Sequence, residues 1–393
     1  MRKVMDGNTA VAYGARLSRV QVVPAYPITP QSSIAETLAD FISQGSLKAK
    51  FLRVESEHSA LSAAVGASFA GARVFTATSS VGLALMTEIT GVASGCRLPI
   101  VMAVANRALC SPWSLWCDHS DTMTLRDQGW IQLYAENCQE ALDFVIIAFR
   151  VAEDQLVQLP CIVAEDGFFL SHLQDTVTVP AQEDVDRYLP PRCPGYLVLD
   201  PESPVAANIL TGPHLFTEDK YTVALGMERA RTVLETAFSE FADVFGRKYS
   251  SVMDYGCDDA ETIIVSLGSL NGTVRDLIKK LRASGQKVGL LRIVAYRPFP
   301  YERVRKLAAK AKNVIVIDRA PALGEIGPLN QDVRAALYGL YPAPQVTGFV
   351  LGLGGRDIPQ SDLVKALEYS ISRNGDYPAT YGEAWLQVEV SAK

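Results

Sequence analysis

Short β-branched runs alternate with helix-period stretches along this chain. Val20–Val23 leads toward a helix near Ser33–Phe41, and Val74–Thr78 toward one near Val81–Ala93. Leu98–Val104 and Pro160–Ala164 read as further buried strands. Runs that are apolar on both faces, separated by helix-length segments, pair in parallel with helices packed over them. The sequence therefore predicts an α/β chain with a largely parallel sheet. Ligands of such sheets gather at the carboxyl ends of the strands, so the turns after these runs are where functional side chains are sought.

The alternation is interrupted once. From Thr176 to Thr222 the periodicity fades and prolines recur, among them Pro180, Pro190, Pro191 and Pro201, as expected of a connector lying over a surface. A helix follows, with Ala230, Leu234, Ala237, Phe238, Phe241 and Phe245 on one face and Gly246 as its stop. A second α/β pattern begins at Glu261, with Ile263–Leu267, Val288–Val294, Val314–Asp318 and Val346–Leu351 as strands. The expected organisation is a first domain over 1–175, a connector and bracing helix over 176–255, and a second α/β domain over 256–393. Gly352–Asp357 lacks the spacing of a dinucleotide loop and reads as a structural turn leaving the last strand.

Composition removes several functions. With a net charge of -6 and 20% charged residues, the 393-residue chain carries no basic footprint for nucleic acid. Its apolar runs are too short to span a bilayer and no signal-peptide core opens it, so a soluble cytoplasmic protein without a membrane partner is expected. The seven cysteines are scattered and never spaced C-x-x-C, which fits free thiols and argues against an iron–sulfur cluster in this chain. Electrons, if the chain handles any, leave through another polypeptide.

Three polar segments stand at the expected strand exits. Tyr26-Pro27-Ile28-Thr29-Pro30 places a hydroxyl between two prolines that stiffen the backbone, although an ordinary turn capped by Ser32 or Ser33 accounts for the same residues. Glu55-Ser56-Glu57-His58-Ser59 runs into an alanine-rich helix, and Glu57 is either a first-turn acid favoured by the helix dipole or a buried acid. Asn106-Arg107 follows the strand Leu98–Val104, where a guanidinium offers a planar fork to a carboxylate or pairs with an internal acid. Asp118, His119 and Asp121 lie in the same loop, but two acids and one histidine are weak grounds for a metal, and none is assigned.

Taken together and in this order, Tyr26–Pro30, Glu55–Ser59 and Asn106–Trp130 resemble the pyrimidine-binding domain of pyruvate:ferredoxin oxidoreductase and its relatives acting on other 2-oxoacids. The likeness continues through Phe75–Ser80, Arg126–Trp130 and Tyr296-Arg297-Pro298-Phe299-Pro300, and so covers nearly the whole chain. It implies an α-type subunit whose first domain binds the pyrimidine half of thiamine diphosphate and whose second resembles the transketolase C-terminal domain. Glu57 matches the acid that hydrogen-bonds the aminopyrimidine and promotes loss of the thiazolium C2 proton. That role calls for poorly solvated surroundings that raise the acid's pKa. Thr29 matches the substrate-binding threonine and Arg107 the carboxylate-binding arginine. Tyr26, Pro27 and Ile28 are expected beside the cofactor, and Asp118 beside the substrate.

The resemblance also implies what lies elsewhere. No G-D-G segment with downstream asparagines is present, Glu165-Asp166-Gly167 being the nearest approach. Magnesium and the diphosphate half-site are therefore expected on a β subunit, and 4Fe–4S clusters on partner chains that include γ and δ, the last ferredoxin-like. The implied reaction is oxidative decarboxylation of a 2-oxoacid with coenzyme A, electrons passing to ferredoxin or another acceptor. A non-oxidative thiamine-dependent transferase subunit is the alternative. Oxalate is not expected, because Arg107 is the only arginine in the loop through Trp116. Trp113 departs from the smaller aliphatic residue of pyruvate-specific relatives and with Trp116 suits an aromatic acid such as phenylglyoxylate, or equally a packing role.

Overall fold

A computed structural model describes residues 1–194, 198–372 and 385–388, so the stretches 373–384 and 389–393 of the expected last domain lie outside the described residues. The anticipated runs are strands, set slightly toward the C-terminus in the first half: Val22–Ala25, Phe75–Thr78, Val101–Asn106 and Cys161–Asp166. Phe75–Thr78 lies parallel to Val101–Asn106, which lies parallel to Cys161–Asp166, which lies parallel to Ile131–Tyr134. A single bridge from Val74 to Val22 carries the sheet on to Val22–Ala25 and its parallel neighbour Lys50–Arg53. The four central strands are buried throughout, as strands covered by helices on both faces must be. Because all run in one direction, their carboxyl ends form one edge. Tyr26, Ser79, Arg107 and Gly167 emerge there.

The helices depart from expectation in instructive places. Ser32 and Ser33 do not cap the helix Ser32–Ser43: Gln31 stands at the cap position without a side-chain bond into the helix, and Ser33 Oγ accepts instead from Asn8 Nδ2 at 2.8 Å. The helix expected over Val81–Ala93 is two, Ser80–Leu85 and Thr87–Gly95. They meet at the fully buried Met86, and the second brings Thr90 O to the indole of buried Trp130 at 2.9 Å. The connector holds a strand, Asp175–Thr178, antiparallel to Arg2–Met5, and a short helix, Gln182–Tyr188. The bracing helix is longer than its apolar face suggests, Pro213–Phe245. It stops at Gly246, which takes the left-handed φ of 72° that a side chain would resist.

The second sheet has the order Gln345–Val350, Asn313–Asp318, Thr262–Ser266 and Val288–Ile293, all parallel, with Val252–Tyr255 antiparallel at its edge. Directly after Val288–Ile293, Ala295–Arg297 crosses to pair with Ile131–Tyr134, so the first sheet takes its outer strand from beyond residue 256. One buried apolar cluster runs through both units, joining Trp130, Tyr134 and Ile162 to Ile263, Leu291 and Tyr296. Buried Arg292 adds an ion pair to Glu140 across the same boundary. No helix among the described residues is long and apolar enough to cross a membrane.

Candidate active site

The loop after Val22–Ala25 is held from below. Asn8 Nδ2 donates to Pro30 O at 2.7 Å, and Gln31 donates from its backbone to Ile28 O at 2.9 Å and from its side chain to Tyr26 O at 3.0 Å. Gly167 packs so closely on this loop that a Cβ there would stand 2.9 Å from Pro30 and 2.3 Å from Asn106 O. Tyr26 and Ile28 are half-buried, while Pro27 and Thr29 face solvent at the sheet edge. The Thr29 side chain is thus free for a ligand, and its carbonyl accepts from Arg107 Nη1 at 2.9 Å.

Arg107 leaves the sheet directly after Val101–Asn106 and is 6% exposed. Its Nε donates to Ser114 O at 3.0 Å, and no carboxylate among the described residues pairs with it. Burial holds its guanidinium below the usual arginine range, even with Asp121 nearby. An arginine gripped by two carbonyls and lacking an acid keeps its charge for an incoming anion.

Asp121 organises the surroundings. Its Oδ2 accepts from the backbone N–H of Ser80 and of Arg107, each at 3.0 Å, and its Oδ1 from Asn106 Nδ2 at 2.7 Å and Thr122 N at 2.8 Å. Ser79 Oγ and Ser80 Oγ complete the join by donating to Ala105 O and Ala108 O. Two strand exits are thereby locked together through one buried carboxylate. Burial pushes its pKa up to about 6, against the pull of those four donors.

Glu57 opens the helix Glu57–Phe69, whose cap is Ser56 accepting from Ser59 N at 3.2 Å. It is a buried acid, 7% exposed, that receives no hydrogen bond from the described residues. Its Oε1 lies over Gly82, where a Cβ would come within 2.7 Å of it and 2.6 Å of Thr78 Oγ1. Thr78 Oγ1 is itself buried without a partner. A carboxylate and a hydroxyl left open beside each other suit a ring carrying both a donor and an acceptor.

Asp118, expected beside the substrate, is buried and bonded within its own loop and to the last strand's exit. One oxygen accepts from Ser120 N at 3.0 Å and the other from Gly354 N at 3.1 Å, and Gly355 N donates to Cys117 O at 2.7 Å. The glycine turn after the last strand is therefore a latch onto this loop. Trp113 is 73% exposed, and Trp116, also exposed, packs at a tilt against Phe168 with centroids 4.6 Å apart.

At the next strand exit, Asp166 accepts from His119 Nε2 at 2.8 Å and Ser269 N at 3.1 Å and pairs with buried Arg319. Burial would raise its pKa, but Arg319 and His119 hold it well below the usual carboxylate range. Cys117, His119 and Asp166 present three ligand atoms within 4.8 Å of one another. The guanidinium on Asp166 and a thiol that burial keeps protonated do not suit a divalent cation. Glu165, also buried, has both oxygens unpartnered. The Glu165-Asp166-Gly167 segment therefore does not fit a magnesium diphosphate.

Residues 13–239 match the family described as Pyruvate flavodoxin/ferredoxin oxidoreductase, thiamine diP-bdg, and residues 260–363 match Pyruvate:ferredoxin oxidoreductase core domain II. Pyruvate synthase subunit PorA of Pyrococcus furiosus is 47% identical over 368 residues, 94% of this chain and 93% of that protein. The chain belongs to the pyruvate:ferredoxin oxidoreductase family. It is an α subunit of a 2-oxoacid:ferredoxin oxidoreductase. Ketoisovalerate oxidoreductase subunit VorA of Pyrococcus horikoshii is 45% identical over 93% of both chains. The fold is shared with 2-oxoglutarate:ferredoxin oxidoreductase from Magnetococcus marinus at a TM-score of 0.71 and 24% identity, covering 94% of this chain and 65% of that one. It is shared more distantly with a split-gene transketolase at 0.54 and 16%.

Within this family's thiamine-diphosphate domain, the open Glu57 carboxylate and the orphaned Thr78 hydroxyl fit the pyrimidine half of the cofactor. Gly82 was not singled out by the sequence, Thr78 entered only within the Phe75–Ser80 segment, and Asp121 only as a weak candidate for a metal. A glycine inside a helix is a signal of close approach that would have drawn attention to Gly82. Nothing local distinguishes Asp121 from other loop acids.

Proposed function

We propose that this subunit supplies the pyrimidine and substrate half of an active site for coenzyme A-dependent oxidative decarboxylation: 2-oxoacid anion plus coenzyme A gives acyl-CoA, carbon dioxide, a proton and two electrons. The observation that carries the reading is Arg107, buried, charged, unpaired with any acid among the described residues and tied to Thr29. In this assignment Arg107 and the Thr29 hydroxyl bind and orient the substrate carboxylate and 2-oxo group, while Glu57 exchanges a proton with the aminopyrimidine. Bound thiamine diphosphate supplies the electron sink for loss of carbon dioxide. Tyr26, Pro27 and Ile28 form the adjoining wall. Asp118 serves the loop latch.

Magnesium and the diphosphate are assigned to a β subunit, and the 4Fe–4S clusters that pass electrons to ferredoxin to further chains, γ and δ among them. The unsuitability of Glu165-Asp166-Gly167 for a cation supports that division. Pyruvate is the substrate we favour. An aryl 2-oxoacid such as phenylglyoxylate would need Trp113 and Trp116 as a wall, and Trp113 is largely exposed while Trp116 is turned onto Phe168. The assembled complex assayed with pyruvate, branched-chain and aryl 2-oxoacids should reduce a ferredoxin-type acceptor and form acyl-CoA fastest with pyruvate. Carbon-fragment transfer without acceptor reduction would establish the non-oxidative alternative.

A further inference from the structure

A second cleft lies at the opposite end of the first sheet. Gln21 and Arg73, at the amino ends of the strands that lead to Tyr26 and Thr78, form part of its wall, and its volume is about 540 Å³. That is within the roughly 300–1,000 Å³ of small-molecule sites. Arg16, Arg19, Lys48, Arg73 and Arg192 line it, and no carboxylate does.

Two of the five cations are answered from outside the cleft. Arg73 makes a two-pronged pair with Glu153 at 2.7 and 2.6 Å, and Arg19 lies 3.1 Å from Asp186. Arg16, Lys48 and Arg192 have no ion pair among the described residues. Arg16 is laid over the rings of Tyr13 and Phe41, its guanidinium carbon 5.1 and 5.3 Å from their centroids, which fixes the plane of the fork. Arg192 donates to Ala72 O and Ser68 O, so it too is held in place. Burial holds Arg192 below the usual arginine range, with Glu153 opposing and Arg73 reinforcing the shift.

Like charges gathered in a concave wall repel one another and raise the local potential for anions. Three cations without an ion pair among the described residues, two of them oriented guanidiniums, match oxygen-rich anions carrying more than one charge. We propose that this cleft binds a phosphate-bearing small anion, with a diphosphate or longer phosphate chain as the group recognised by Arg16, Lys48 and Arg192. The site is remote from Thr29, Glu57 and Arg107 and does not depend on their assignment.

Titration calorimetry of the assembled complex with pyrophosphate, at ionic strength held constant with chloride, tests this. Saturable binding of one pyrophosphate per copy of this chain is expected, weakened at least tenfold by Lys48→Ala and by Arg16→Gln, with 2-oxoacid turnover unchanged in the absence of the anion. Lys48 is exposed and its variant should fold even if Arg16→Gln does not, so the first alone suffices. A nucleoside diphosphate binding more tightly than pyrophosphate would support the site and add a base to its ligand. Equal affinities would support the phosphate chain alone. Absence of saturable binding, or affinity untouched by Lys48→Ala, would overturn the proposal. So would loss of a partner subunit in the variants without any pyrophosphate binding by the parent, which would assign the cleft to protein contact.

Discussion

Arg107 donates from Nη1 to the backbone carbonyl of Thr29 at 2.9 Å, so the two residues proposed to meet the substrate are joined before any substrate arrives. The fork has a structural duty as well as a free charge. Arg107→Ala should weaken 2-oxoacid binding at least tenfold, because a charge-assisted contact contributes about 1.5–3 kcal/mol and about 1.4 kcal/mol already gives that factor. The melting temperature should also fall slightly, since the Thr29 and Ser114 carbonyls lose their donors. Lysine should restore part of the affinity without the two-carbonyl grip. Unaltered KM with a lowered melting temperature would reduce Arg107 to a structural brace.

Gly82 gives an independent check on Glu57. A Cβ at this position would press on Glu57 Oε1 and Thr78 Oγ1 at 2.7 and 2.6 Å. Alanine favours a helix by roughly 0.5–1 kcal/mol over glycine, so the backbone itself does not suffer. Gly82→Ala should therefore leave the complex assembled while cutting C2 proton exchange on bound thiamine diphosphate by about 100-fold, as expected for loss of a positioned acid–base group. Glu57→Gln should do the same. Near-normal exchange in both would return Glu57 to a helix-terminus role.

What was legible in the sequence follows from which interactions are local. Val101–Asn106 and Thr262–Ser266 announce themselves because strands buried on both faces are apolar throughout. Ile131–Tyr134 did not, because Gln132 interrupts the run, its buried Nε2 donating to Thr122 O at 3.2 Å. Thr29, Glu57 and Arg107 stand out only through resemblance, their individual contexts leaving cap, dipole and ion-pair readings open. The partner of Asp118 stands at Gly354, far along the chain and beyond any spacing rule. Ala295–Arg297 is likewise too short to read as a strand, and only the first sheet's open edge defines it.

Glu165 should impose a pH dependence on stability. Burial, with Asp6 and Asp166 adding, pushes its pKa up to about 8, whereas in the unfolded chain it ionises near 4.5. Below 4.5 both states are protonated and the full contribution to stability is present. As pH rises toward 8 the unfolded state releases its proton first, and stability declines. Glu165→Gln, uncharged and of similar shape, should melt higher than the parent at the alkaline end, by on the order of 2–4 kcal/mol, with the gap closing toward acid pH. Calorimetric melting of parent and variant across that range decides it; parallel profiles would mean that Glu165 is ionised in the folded protein.

Asp121 should show the opposite sensitivity in function. Its carboxylate positions Arg107 and Ser80 by accepting their backbone N–H groups, and its pKa is about 6. As pH falls through that value the group takes up a proton, one oxygen becomes a donor, and a donor facing N–H groups loosens the loop. KM for the 2-oxoacid should thus rise in acid. Stability should move the other way on this group's account, because a raised folded pKa means that the native state binds the proton more readily. Asp121→Asn tests the same contact permanently: each oxygen now faces two donors, so whichever way the amide is turned its NH2 meets N–H groups. The variant should raise KM about tenfold at neutral pH, at a cost of roughly 1–3 kcal/mol for the unsatisfied donors, and flatten the KM profile between about pH 5 and 7. A variant with elevated KM that keeps the parent's pH profile would show that another group titrates and that Asp121 matters only for packing.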